Sequence, residues 1–320
     1  MAGGVTEARF RRNRVAPLVF SELAHWLYGS GRGLTQRGMQ SRQRLFGWAI
    51  RLLGGGWVLW QGMLASGAQG DLFPDAGLEA AVRSQVFAKR DNRDPLVEAD
   101  VAQVSTIVAR GRGIRSLAGL EKCRSLAMLD LAANQVMDLG PLTGLARLQF
   151  LDLQSNRVTE LGPLATMTAL QYLHLGENVV VDVSPLAGLT NLSTLHLSGN
   201  RVAELGPLLG LRRLTSLYLN DNWLPSIDGI GTLRSLSSLA LSGNRISDLK
   251  PLRGLNGLQY LFLERNQIRD VADLRAWLES DEADRFAPYV QIHLAGNPLG
   301  SVARRKSVPA LKAAGMRIWP

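Results

Sequence analysis

The sequence predicts an α/β solenoid: a right-handed coil with short parallel strands on a concave sheet and short 3-10 or helical turns on the convex side. Three observations predict it. An asparagine recurs every 22 residues, a leucine pattern is fixed relative to it, and an acidic residue, then x-x-Pro-Leu, follows it. Self-similarity at a period of this length marks stacked repeats.

The asparagines are Asn134, Asn156, Asn178, Asn200, Asn222, Asn244 and Asn266. Aligned on them, seven units begin at Leu126, Leu148, Leu170, Leu192, Leu214, Leu236 and Leu258, with Leu at unit positions 1, 4 and 6 throughout. Alternation in the L-x-L portion points its leucines to one side of a short strand and the intervening residue to the other. One unit cannot bury its leucines alone, whereas stacked units bury them as a continuous column. The asparagine sits where the chain leaves the strand, and its amide is suited to satisfying backbone groups of neighbouring coils. Position 13 is acidic in six of the seven units: Asp138, Glu160, Asp182, Glu204, Asp248 and Asp270. It is expected to cap a short helical turn, which the following Pro favours.

At these residues the chain resembles leucine-rich repeat proteins, of the class found in bacterial internalins and in the regulatory subunit of protein phosphatase 1. The resemblance extends beyond the regular units and divides the chain. Leu78 to Val82 resemble a helical N-terminal cap (69–103), Ile114 to Glu121 an irregular first repeat, and the repeats run over 104–270. Residues 271–320 hold an insert with a helix from Ala272 to Ser280 and an acidic loop. A last strand near Asn297-Pro298 and a closing helix end the chain, giving about nine strands. The resemblance implies a non-catalytic protein that binds another protein through its concave face. The phosphatase subunit offers an alternative, a cytosolic regulatory scaffold of an enzyme. No cell-wall sorting signal or immunoglobulin-like domain follows the repeats, so surface display of the internalin kind is not expected.

Composition agrees with a folded, soluble body: 46% of residues are hydrophobic and 20% charged. A single cysteine, Cys123, excludes an internal disulfide framework and a multi-cysteine zinc site. Cys123 stands where the repeat has Leu and reads as an apolar core residue. The net charge of +9 lies at the ends. Nine Arg fall in residues 1–70, and Arg304, Arg305, Lys306, Lys312 and Arg317 fall in the last twenty, so no basic stripe for nucleic acid is expected. Residues 304–306 read as a loop before the closing helix. From Met39, an Arg-bearing leader, the apolar run Leu52 to Leu64 and Ala65-Ser66-Gly67-Ala68 follow the layout of a secretory signal peptide over 39–68. Residues 1–38 then form an upstream extension. An exported protein, periplasmic or secreted and without a membrane span after cleavage, is expected. An uncut segment would leave it cytoplasmic or anchored in the inner membrane.

The candidate site lies on the strand face not used by the leucines. Unit position 3 supplies Met128, Phe150, Tyr172, Thr194, Ser216, Ser238 and Tyr260. Position 5 supplies Asp130, Asp152, His174, His196, Tyr218, Ala240 and Phe262, extended by His293. Aromatic residues on an exposed sheet are typical interface anchors, although they also favour strands for their own sake. The candidate protein-binding residues are Phe150, Asp152, Tyr172, His174, His196, Tyr218, Tyr260 and Phe262. The run Asp130, Asp152, His174, His196 also suggests a pH-sensitive surface, a hydrated polar column with an Asp152–His174 hydrogen bond, or a metal-dependent hydrolase. Zinc wants converging ligands, whereas a flat ladder spreads them in a line, so no metal and no cofactor are expected. Motifs for phosphate loops, dinucleotide binding, zinc proteases, serine hydrolases and EF-hands are absent from the sequence. Arg157, Arg201 and Arg245 read as solvated edge charges. A monomer with a protein partner is the expected state.

Overall fold

A computed structural model describes residues 71–279 and 290–320. The signal peptide expected over 39–68, the upstream extension expected over 1–38 and the expected acidic loop after the insert helix lie outside these described residues. Among the described residues no helix is long and apolar enough to cross a membrane.

Ten three-residue strands form one sheet in chain order, every neighbouring pair parallel. They are β1 (Thr106–Val108), β2 (Met128–Asp130), β3 (Phe150–Asp152), β4 (Tyr172–His174) and β5 (Thr194–His196). The remainder are β6 (Ser216–Tyr218), β7 (Ser238–Ala240), β8 (Tyr260–Phe262), β9 (Gln291–His293) and β10 (Arg317–Trp319). Nine strands were expected. The tenth follows the closing helix, and its Ile318 pairs with Ile292 and is buried beside it. Behind the sheet, the repeat leucines form one core: in the fourth unit Leu192, Leu195, Leu197, Val202, Leu208 and Leu211 are all fully buried. Cys123 belongs to this core, and burial with the Glu121 charge pushes its thiol pKa up to about 12, so it is an inert apolar filler.

The asparagines join each coil to the one before. Asn200 Oδ1 accepts the Val180 N–H at 2.9 Å, and its Nδ2 donates to the carbonyls of Leu175 at 2.8 Å and Leu197 at 2.9 Å. Asn134, Asn156, Asn178, Asn222, Asn244, Asn266 and Asn297 repeat this pattern. The residue before each of them turns the chain through left-handed backbone. Gly199, Gly243 and Gly296 do so in three coils, but Ala133, Ser155, Glu177, Asp221 and Arg265 hold positive φ without being glycine.

On the convex side 3-10 turns run over Gly140–Leu142, Gly162–Leu164, Ser184–Leu186, Gly206–Leu208 and Lys250–Leu252, each with Pro as its second residue. A missing N–H costs nothing there, because the first turn has no partner for it. Asp138, Asp182 and Asp248 accept the amide two residues ahead at 2.8–2.9 Å. Asp270 accepts the amide two residues ahead, Ala272, at 3.1 Å and also that of Val271 at 2.7 Å. Glu160 and Glu204 make no such bond: one more methylene carries the carboxylate past the tight turn.

Helix α1 (Ala76–Gln85) covers the first coil, burying Leu78, Ala81 and Val82. Asp75 caps it and also binds the repeat. Its Oδ1 accepts the Gly77 and Leu78 N–H groups at 3.0 and 3.2 Å, while Oδ2 accepts those of Arg115 and Ser116 at 2.8 and 3.2 Å. Gly119, at φ +100°, lets the first repeat pass under this cap; a Cβ there would stand 2.2 Å from the Leu72 carbonyl oxygen. A single turn, α2 (Glu98–Val101), leads into β1. The insert forms α3 (Ala272–Glu279), which drives Leu274 and Trp277 into the core. Residues 304–306 are helical and not a loop: a π-helical stretch over Ala303–Ser307 runs into α4 (Val308–Ala313).

Candidate protein-binding face

The parallel register lines up the two outward columns. Position 3 runs Met128, Phe150, Tyr172, Thr194, Ser216, Ser238, Tyr260. Position 5 runs Asp130, Asp152, His174, His196, Tyr218, Ala240, Phe262, His293 and then Trp319 of β10. Strands about 4.8 Å apart place in-register rings at stacking distance. Phe150 stacks on Tyr172 with centroids 4.3 Å apart; His174 stacks on His196 at 4.4 Å and His196 on Tyr218 at 4.2 Å. Toward the other end Phe262, His293 and Trp319 stack at 4.8 and 4.6 Å. Most of these rings are half-buried by one another, while Tyr260 and Trp319 are 41% and 44% exposed.

The acidic end of the column is closed by a residue that the repeat pattern does not reveal. Arg110, two residues past β1, donates from Nη2 to Asp152 Oδ2 at 3.1 Å and from Nε to Asp130 Oδ2 at 3.3 Å. Two carboxylates one strand apart repel, and the guanidinium bridging them removes that penalty. Asp152 is buried, with its Oδ1 accepting the Gln154 N–H at 2.9 Å. It does not bond His174. His174 Nδ1 instead accepts the Gly176 N–H at 3.2 Å, which leaves its proton on Nε2. Gly176 leaves room for this ring position, since a Cβ there would lie 2.8 Å from His174 Cε1 and push the imidazole aside.

Burial lowers the pKa of His174 against the raising influence of Asp152 and Glu177, with Arg110 lowering it further. The same burial, with His174 alongside, depresses His196 to about 4. Both imidazoles are therefore neutral near pH 7, and the middle of the face is uncharged. Tyr172 is held protonated by burial and by the Asp152 charge. Among the described residues no group of three or more His, Cys, Asp or Glu side chains could hold a metal ion. Arg110 already occupies the aspartates of the ladder. Arg157, Arg201 and Arg245 are exposed on the lateral edge, and Arg201 lies over the Trp223 ring at 5.9 Å.

Trp319 could have been found in the sequence from the alternation Met316, Ile318 inward and Arg317, Trp319 outward. Arg110 could have been found only by asking what neutralises Asp130 and Asp152.

A coil of parallel strands with an asparagine ladder, a leucine core and an open ring-bearing sheet defines a leucine-rich repeat solenoid. Profiles described as "Leucine Rich repeats (2 copies)" match residues 190–232 and 234–276, and one described as "Leucine rich repeat" matches 146–202. The chain belongs to the leucine-rich repeat proteins, and it is related to the internalin-type members from bacteria. Internalin C2 of Listeria monocytogenes is 30% identical with a TM-score of 0.63, over 70% of this chain and 95% of that one. Internalin F of the same organism is 26% identical with a TM-score of 0.59, over 71% of this chain and 70% of that one. The leucine-rich repeat ectodomain of the Arabidopsis thaliana receptor kinase GASSHO1/SCHENGEN3 shares the fold. It is 23% identical with a TM-score of 0.57, over 68% of this chain and 27% of that one. No curated protein sequence matches the chain.

Proposed function

We propose that this protein is exported and binds another protein through its concave face, without catalysis. The observation that carries the reading is the two stacks of rings, Phe150 to Tyr218 and Phe262 to Trp319, on a sheet face with no core of its own to fill. Rigid aromatic side chains already ordered by stacking lose little conformational entropy on binding, which suits them as anchors. The contact residues are Phe150, Tyr172, His174, His196, Tyr218, Tyr260 and Phe262, with Trp319 added, and Asp152 fixes Arg110 behind them. Kinship with the internalins and the leader pattern over 39–68 support export.

The test is site-specific photo-crosslinking in the producing cell, with the reactive group at Tyr260 or Trp319 on the concave face and at Glu160 on the convex turn. A discrete protein adduct from the concave positions and none from Glu160 is expected. Replacing Tyr172, His174, His196 and Tyr218 together by Ala should abolish the adduct while the melting transition persists. Adducts from Glu160 alone would move the site to the convex side.

A further inference from the structure

The two long edges of the sheet differ in charge. The turns leaving the strands, 132–138 and its equivalents to 264–270, carry nine carboxylates against five arginines. The loops returning to the strands are 144–149, 166–171, 188–193, 210–215, 232–237 and 254–259. They carry Arg147, Arg212, Arg213 and Arg234 and no Asp or Glu. All four arginines are exposed. A groove of about 670 Å³ runs along this returning edge across Gln149, Gln171, Asn191, Ser193, Arg213 and Thr215.

The chemistry of the groove is specific. Asn191 Nδ2 donates to the Thr168 carbonyl at 2.8 Å, and Asn191 Oδ1 accepts from Arg213 Nη1 at 2.6 Å. The guanidinium is thus anchored through Nη1, which leaves Nε and Nη2 to donate to a ligand. Ser193 and Thr215 donate their hydroxyl protons to the carbonyls of Gln171 and Ser193, each at 3.0 Å. Their oxygen lone pairs remain to accept from a ligand. From Gln149, before β3, to Ser235, before β7, the groove spans four strand spacings, about 19 Å at ~4.8 Å each. It contains no aromatic or large apolar side chain among its lining residues.

We propose that this returning-edge groove is a second binding site, for an acidic polysaccharide, with Arg213 taking a carboxylate and Gln171, Ser193 and Thr215 taking sugar hydroxyls. Fixed guanidinium geometry matches a carboxylate in bidentate fashion. The row of amides and hydroxyl acceptors matches a ligand that is itself a row of hydroxyls. An acidic peptide with apolar side chains would find no pocket for them here, and a purely acidic one such as hexaglutamate lacks the hydroxyls that this row of amides and hydroxyl oxygens pairs with. The site is separate from the ring columns, so it stands or falls independently of the concave-face reading.

The experiment is calorimetric titration of the full chain at low ionic strength with a linear hexamer of galacturonic acid, with the neutral galactose hexamer and with hexaglutamate. The galacturonate hexamer should bind, and the galactose hexamer and hexaglutamate should not compete with it at equal concentration. Arg213→Gln should weaken binding about tenfold or more, the scale of one charge-assisted bidentate contact. Arg304→Gln/Arg305→Gln should leave it unchanged, which excludes attraction to the C-terminal basic cluster. Arg213 is exposed, and an unchanged melting curve for Arg213→Gln would show that the fold is intact. Equal binding of hexaglutamate, unchanged affinity in Arg213→Gln, or no binding of the galacturonate hexamer would each overturn the proposal.

Discussion

Asn200 makes hydrogen bonds to the backbone of its own coil and of the one before it, all in a site sealed from water. Removing its amide leaves the Val180 N–H buried without its acceptor, while the Leu175 carbonyl keeps the Asn178 Nδ2 donor at 3.0 Å. Buried unsatisfied groups cost about 1–3 kcal/mol each. Asn200→Ala is therefore expected to lose about 1–3 kcal/mol, measured by urea unfolding; a loss no larger than that of an exposed Ser→Ala change would show that water replaces the amide. His196 offers a test of opposite character. Its folded pKa of about 4 lies below the ordinary histidine value of 6.5, so the unfolded chain takes up the proton first. Stability from keeping it neutral is complete above pH 6.5 and is lost as pH falls toward 4. His174 shifts in the same direction. Scanning fluorimetry should show Tm falling over that window. The fall should be smaller in His196→Phe, which keeps a ring in the stack but cannot titrate. An identical fall in the variant would place the sensitivity elsewhere.

At the scale of elements, the two ends decide whether the coil is closed. Helix α1 is joined to the first repeat by Asp75, whose carboxylate serves two N–H groups of the helix and two of the repeat. Burial raises its pKa, but these four donors outweigh that and the net shift is downward. Asp75→Ala should cost about 1–2 kcal/mol, as for loss of a strong helix cap. Hydrogen exchange should quicken over 76–85 before it does so in the central repeats; uniform quickening would mean that the cap is not a separate unit. The regular coils, their register and the asparagine bonds were legible in the sequence because each is fixed by a spacing. What was not legible lacks a period. The tenth strand carries no asparagine and no leucine triplet. Arg110 acts across 42 residues on Asp152, and the left-handed residue before each asparagine is hidden because five of the eight are not glycine. The acidic position was read as a uniform cap, yet only its aspartates reach the amide.

For the whole molecule, nearest-neighbour contact governs stability, because the core and backbone contacts of a coil are with the coils on either side, and only long surface side chains such as Arg110 and Arg265 reach two coils away. Leu197 is fully buried between β4 and β6 in the middle of the stack. Leu197→Ala should cost roughly 2–5 kcal/mol. Exchange protection should fall in the coils on both sides and recover toward the ends. An unmoved melting transition would contradict the register. The same arrangement separates structure from recognition: the inward positions are nearly invariant from coil to coil, while the outward ones run from aspartate through histidine to tryptophan.

The asparagine bonds reach back a constant 20 residues to an N–H and 25 to a carbonyl in the regular coils. At Asn297 they reach back 29 and 34, because the insert bearing α3 intervenes. The bond therefore recognises a backbone position and is indifferent to the contour length of chain that leads to it. A gene encoding such a ladder can lose one complete coil, such as residues 192–213, and still close every remaining rung. Tyr172 and His174 would then meet Ser216 and Tyr218 directly, and the length of the binding face would change by one whole step without any side chain being redesigned.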